Sequence, residues 1–224
     1  MSREEIINAY IQKHSYKSYL EIGVQTGVNL DAIKCEKKVG VDPWNGKKGP
    51  QTLHDGQVFV HVQERSDESK KITLTMTSDL FFSTYLKFKP QKFDIIFIDG
   101  AHTFANVYRD IVHSLIYLND GGTIVLHDML PETEKAQLSR VQHGTWNGDG
   151  WKGFVKARSE FGDKYKFFVL DTDFGCGIIR KSDNPSPLEN IKDTDLNWNN
   201  FVKNRQKWMN VVDYQDFKKT FLND

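Results

Sequence analysis

Cysteine is nearly absent: Cys35 and Cys176 are the only two in 224 residues. They stand far apart and in no metal-ligand spacing, which leaves no basis for a disulfide framework and suits a reducing cytoplasm. Long apolar runs are missing as well. The longest, around Ile95-Ile-Phe-Ile98, has the length of a strand and falls far short of a bilayer. The opening Met1-Ser-Arg-Glu-Glu-Ile-Ile is charged and helical in character, unlike a signal peptide, and no Asn-x-Ser/Thr acceptor occurs. A surplus of one charge is lacking too, since 30 basic residues cancel 30 acidic ones. That balance argues against a protein that tracks a nucleic-acid backbone. Lys47-Lys48, Lys70-Lys71 and Lys218-Lys219 read as solvated surface. The expectation is a cytoplasmic protein with no membrane partner and no nucleic acid.

What is present is material for a core: 38% hydrophobic and 27% charged residues, in a length that suits one α/β domain with a short appendage. Ser2 to about His14 reads as a helix, with Ile6, Ile7, Tyr10 and Ile11 on one face and a capping box from Ser2 to Glu5. Short strands follow at 18–22, 39–42, 72–76, 93–98 and 123–126. Between them come helices at 29–34, 79–86 and 105–118; the stretch 55–70 fits helix or strand equally. After an irregular segment from Pro131 to Gly150, a helix at 151–161 leads to two strands, 166–170 and 175–180. Their link is short enough for antiparallel pairing. A polar tail ends in a helix from Trp198 to Leu222. This alternation predicts a Rossmann-like, doubly wound, mostly parallel α/β sheet of about seven strands, closed by an antiparallel hairpin. Residues 1–182 form the expected domain. Residues 183–224 form a linker and a helix that packs on it or on a second subunit, so a homo-oligomer stays open.

In such sheets ligands bind beyond the carboxyl ends of the strands. The first strand runs into Glu21-Ile-Gly23-Val-Gln25-Thr-Gly27, where glycines permit a sharp turn and a close ligand. Glu21 suits an ammonium group, and the helix start after Gly27 favours a carboxylate. Asp42 closes the second strand, about twenty residues after the glycine turn, where an acid accepts both ribose hydroxyls. Trp44 is an indole that walls adenine or fills the core. Thr77-Ser78-Asp79 offers polar groups beside an adenine edge, or Ser78 caps a helix. The fourth strand delivers Asp99 and, just beyond, His102; the fifth delivers His127 and Asp128. Adjacent strands lie roughly 5 Å apart, so these acids and imidazoles converge on one rim, suited to a divalent metal or to proton abstraction.

With these residues in place, the chain resembles the class I S-adenosylmethionine-dependent methyltransferases. It is most similar to a group of small-molecule and sugar methyltransferases with Ile-Asp-Gly-x-His after the fourth strand. The resemblance covers 19–181 and is carried by Leu20 to Gly27, Val39-Gly-Val-Asp42, Met76 to Asp79, Phe93 to His102 and Leu118 to Pro131. It implies that Glu21, Gly23 and Gly27 surround the methionine part of S-adenosylmethionine. Asp42 would hold the ribose, Ser78 and Asp79 would lie near the adenine, and Asp99 would adjoin the cofactor. Gln25 stands where many relatives carry glycine. Metal-dependent relatives place carboxylates as at Asp99 and Asp128, which brings in a cation such as Mg²⁺, although Met129 replaces their usual third oxygen ligand.

The expected reaction is O-methylation of a small molecule or carbohydrate. The sulfonium activates the methyl group, and the protein aligns the acceptor and removes its proton. The base is His102 or His127, with Asp128 and Asp99 orienting it or holding the metal. Pro131 to Lys152, with Trp146, Asn147, Asp149 and Trp151, lies where a lid would cross the site. The rival readings are a cofactor-binding module without chemistry and a nicotinamide-dependent oxidoreductase, whose Gly-x-Gly-x-x-Gly is missing.

Overall fold

A computed structural model of the chain describes residues 1–43, 59–64, 70–141 and 143–223. Helix α1 (Arg3–His14) opens it, and Glu5 accepts the Ser2 N–H at 2.9 Å, as the capping box requires. Then follow β1 (Ser18–Ile22), α2 (Val28–Ala32), β2 (Lys37–Val41), β3 (Phe59–Glu64) and β4 (Lys70–Thr75). Next, α3 (Ser78–Leu80) and α4 (Leu86–Phe88) flank a π-helical turn at Phe81–Tyr85. Strand β5 (Phe93–Ile98), α5 (Phe104–Tyr117), β6 (Leu118–Leu126) and α6 (Gly150–Phe161) form the second half. The chain closes with β7 (Tyr165–Leu170), β8 (Cys176–Lys181), a 3-10 turn at Asp193–Asp195, α7 (Trp198–Met209), β9 (Val211–Val212) and α8 (Tyr214–Asn223).

The strands make one sheet in the order β3-β4-β2-β1-β5-β6-β8-β7-β9. From β4 through β6 every pairing is parallel, and β8 then runs antiparallel to both β6 and β7. This is the expected Rossmann-like sheet with its hairpin, plus β3 and β9 at the edges. Strand order reverses direction between β1 and β5, so the crevice opens where those two strands end.

Alternation along the strands feeds two cores. Leu20, Ile22, Ile96 and Ile98 face one side, with Ile111 of α5, Trp151 of α6 and Trp208 of α7. Tyr19, Ile95 and Phe97 face the other, with Ile6 and Tyr10 of α1, Leu30 of α2 and Phe217 of α8. Residues buried on both faces explain why the central strands read as unbroken apolar runs.

Several local expectations need correction. The tail is two helices, because Asn210 adopts a left-handed conformation (φ 48°) that ends α7 and lets Val211–Val212 pair with β7. Strand β6 begins at Leu118, directly after α5, because Phe93 pairs with Leu118 ahead of a register shift. Thr77, not Ser78, caps α3 by accepting the Leu80 N–H at 3.3 Å. Of the ambiguous stretch 55–70, residues 59–64 are strand and Lys70 begins β4; the rest lies outside the described residues. Among those residues no helix is long and apolar enough to cross a membrane, and both cysteines are free and buried.

Candidate active site

The turn after β1 is pressed against the turn after β5. Gly23 sits at φ +93°, and a Cβ there would lie 2.0 Å from the Asp99 carbonyl oxygen, so only glycine fits. The sheet bonds continue past the strand ends: Asp99 N–H donates to Ile22 O at 2.8 Å and Gly23 N–H to Val41 O at 2.9 Å. Gln25 takes a left-handed φ of 49°, so the turn forms without a glycine there. Its N–H donates to Asp42 Oδ2 at 2.7 Å, which ties the two turns together.

A cleft of about 580 Å³ opens above these turns. Gly23, Asp42, Ser78 and Asp79 line it together with Asp99, His102, His127 and Asp128. Gly27 is the left-handed residue that starts α2, and neither it nor Glu21 lines the cleft. Glu21 is fully buried and accepts from Tyr19 Oη at 2.5 Å and Asn29 Nδ2 at 2.7 Å. Burial lifts its pKa to about 7 against those hydrogen bonds. Asp79 is bound on both oxygens by Arg109, at 3.0 Å each. Trp44 lies outside the described residues.

The acid–imidazole group does converge. The His102 ring lies between two carboxylates, with Nε2 3.2 Å from Asp99 Oδ1 and Nδ1 3.1 Å from Asp128 Oδ2. His127 Nδ1 lies 3.5 Å from Asp99 and 3.2 Å from Asp128. Burial alone would lower both imidazole pKa values, but the carboxylates outweigh it and hold His102 at about 9 and His127 at about 11. Burial pushes the other way on Asp99 and Asp128, and the two imidazoles overcome it to keep both acids below their ordinary range. His102 and Asp128 also adopt positive φ angles, 54° and 62°. Such backbone strain persists only where surrounding contacts hold it.

Those contacts come largely from the segment expected as a lid. Trp146 stacks on the His102 ring at 5.0 Å and 5°, and Asn147 Nδ2 donates to Asp128 Oδ1 at 2.6 Å. Gly148 packs on the His102 backbone so tightly that a Cβ would meet its carbonyl at 2.1 Å. Asp149 instead accepts the Phe104 N–H at the start of α5, and Trp151 is core, 4.4 Å from Phe201. Two groups were not anticipated. Asp173, from the β7–β8 link, lies 3.3 Å from His127 Nε2, and Arg3 of α1 places Nη1 3.1 Å from the same nitrogen. Apart from Asp173 standing between two predicted strands, no pattern in the sequence marks either.

Asp99, His102 and Asp128 each offer a ligand atom, all within 4.8 Å of one another. Two carboxylate oxygens and an imidazole suit a divalent cation. Met129, buried at 2% exposure, has no side-chain oxygen to add to that set.

Residues 20–129 match a family model described as a methyltransferase domain. No curated protein matches the chain. Among solved structures it is similar to an O-methyltransferase from Bacillus cereus in complex with SAH (S-adenosylhomocysteine), with TM-score 0.53, 13% identity, and 79% of each chain covered. It is also similar to the SAH-bound methyltransferase of Podospora anserina, with TM-score 0.52, 17% identity, and 81% of this chain and 78% of that one covered. A third likeness, TM-score 0.50 at 12% identity, is to a SAM-bound O-methyltransferase of Streptomyces achromogenes involved in tomaymycin synthesis, covering 80% of this chain and 79% of that one. At such identities these likenesses speak to the fold.

Proposed function

We propose that the chain, whose residues 20–129 match a methyltransferase-domain model and whose fold is that of O-methyltransferases, is a class I S-adenosylmethionine-dependent methyltransferase acting on a hydroxyl of a small molecule or carbohydrate. The observation that carries this is the shared cleft. Gly23 and Asp42 line the same cleft as the converging Asp99–His102–Asp128 group. S-adenosylmethionine supplies the electrophilic methyl group. Gly23 lets the cofactor's methionine part approach the backbone, and Asp42 takes the ribose hydroxyls. Asp99 and Asp128 fix the His102 ring, which receives the acceptor's proton once it is itself deprotonated. Trp146, half-buried and stacked on that ring, offers a flat wall suited to a sugar face or an aromatic acceptor.

The convergence of ligand atoms at Asp99, His102 and Asp128 favours a second reading of the same rim. A cation such as Mg²⁺ held there would lower the pKa of the acceptor hydroxyl. One set of measurements separates these readings. The protein is titrated with SAH and with NAD⁺, then incubated with S-adenosylmethionine and a panel of phenols, catechols and sugars, with and without a chelator. SAH binding and an O-methylated product support the assignment. NAD⁺ binding alone, or SAH binding with no product from any acceptor, contradicts it. Loss of product on chelation assigns the cation.

A further inference from the structure

Arg3 carries an inference that deepens the reading above and rests on it. The first turn of α1 is held against the β7–β8 link: Arg3 N–H donates to Asp173 Oδ2 at 2.8 Å, and Thr172 Oγ1 donates to the Met1 carbonyl at 2.9 Å. This anchors the Arg3 side chain in the wall of the cleft. Only one corner of the guanidinium, Nη1, lies against polar side-chain atoms of the protein. Nη1 lies 3.1 Å from His127 Nε2 and 3.7 Å from Asp173 Oδ2. Nε is buried and has no hydrogen-bond partner, so the Nε–Nη2 edge lacks a protein acceptor among the described residues. Asp173 does not consume the charge, because His127 shares that carboxylate at 3.3 Å.

A guanidinium edge is a planar fork that matches the two oxygens of a carboxylate or phosphate. Buried donors are costly to leave unmet, and an unmet one beside a cleft calls for a ligand acceptor. We propose that Arg3 binds an oxyanion of the bound ligands, a carboxylate first of all, on its Nε–Nη2 edge. Two molecules of the proposed reaction can bring one: the amino-acid head of the cofactor, or an acceptor bearing an acid group. The neighbourhood favours the cofactor. Arg3 lines the same cleft as Gly23 and Asp42, the residues read above as the cofactor's seat.

Arg3→Gln and Arg3→Lys, made in the full chain and checked by thermal melting, test this. SAH is titrated beside 5′-methylthioadenosine, which lacks the amino-acid head. Turnover of a hydroxybenzoate is compared with turnover of its amide. If the cofactor supplies the carboxylate, Arg3→Gln weakens SAH by about tenfold or more, Arg3→Lys by less, and 5′-methylthioadenosine is unaffected. If the acceptor supplies it, SAH binding holds while KM rises for the acid and not for the amide. Unchanged SAH affinity together with equal KM effects on acid and amide overturns the proposal. Wild-type protein that fails to bind SAH defeats the methyltransferase reading itself, before any Arg3 variant is compared.

Discussion

The rim after β1 and β2 and the rim after β5 and β6 line one cleft, yet they are assembled in different ways. The first is local. Gly23, Gln25 and Asp42 lie within twenty residues, and backbone fit and one short hydrogen bond join them. The second is gathered from the whole chain: Arg3, Asp99, His102, His127, Asp128, Trp146, Asn147 and Asp173. On the proposed reading the first rim positions a ligand by leaving room for it. The second positions charge, with Asp99 and Asp128 against His102 and His127. A mutation in the first should therefore remove binding, and one among the carboxylates and imidazoles of the second should change chemistry and its pH dependence.

The largest expected effect is at Gly23. Gly23→Ala puts a methyl group inside the Asp99 carbonyl at a strained φ; the melting temperature should fall by roughly 10 °C, and SAH binding should vanish. A well-folded variant with intact binding would mean that the two turns are not the cofactor seat. Next, Asp42→Asn should weaken SAH by about tenfold to a hundredfold, the loss of a charged acceptor, as read by calorimetry.

These first-rim residues were legible in the sequence because each follows an apolar strand and a turn within a short window. The strand-end position likewise brought Asp99, His102, His127 and Asp128 onto one rim. Their ion pairs, with His102 lodged between Asp99 and Asp128, depend on side-chain placement that spacing does not encode. Arg3 and Asp173 were out of reach for a plainer reason: they are separated by 170 residues, and only the pairing of β7 with β8 and the packing of α1 bring them together. The tail misled in the same way, since a single left-handed Asn210 divides what periodicity reads as one helix.

On the second rim the effect is a shift in pH. The carboxylates hold the His102 pKa at about 9, so kcat/KM should climb with pH towards that value as the imidazole loses its proton. Asp128→Asn removes one of those charges, and the rising limb should move down towards 6.5, the ordinary histidine value. The stability linked to the raised pKa has the matching sign: present below 6.5 and lost as pH rises through about 9. The smallest effect is at Asp79, half exposed and engaged by Arg109. Asp79→Asn should cost at most about 1 kcal/mol of stability and leave SAH affinity nearly unchanged. A loss as large as that of Asp42→Asn would show that Asp79 leaves Arg109 to meet the cofactor.

The division between a rim that binds and a rim that reacts is tested most directly by one variant measured two ways. His102→Asn should bind SAH as the wild type does while turnover of a methylated acceptor falls by about a hundredfold or more. Equal turnover, or loss of SAH binding in a variant that melts normally, would contradict the account.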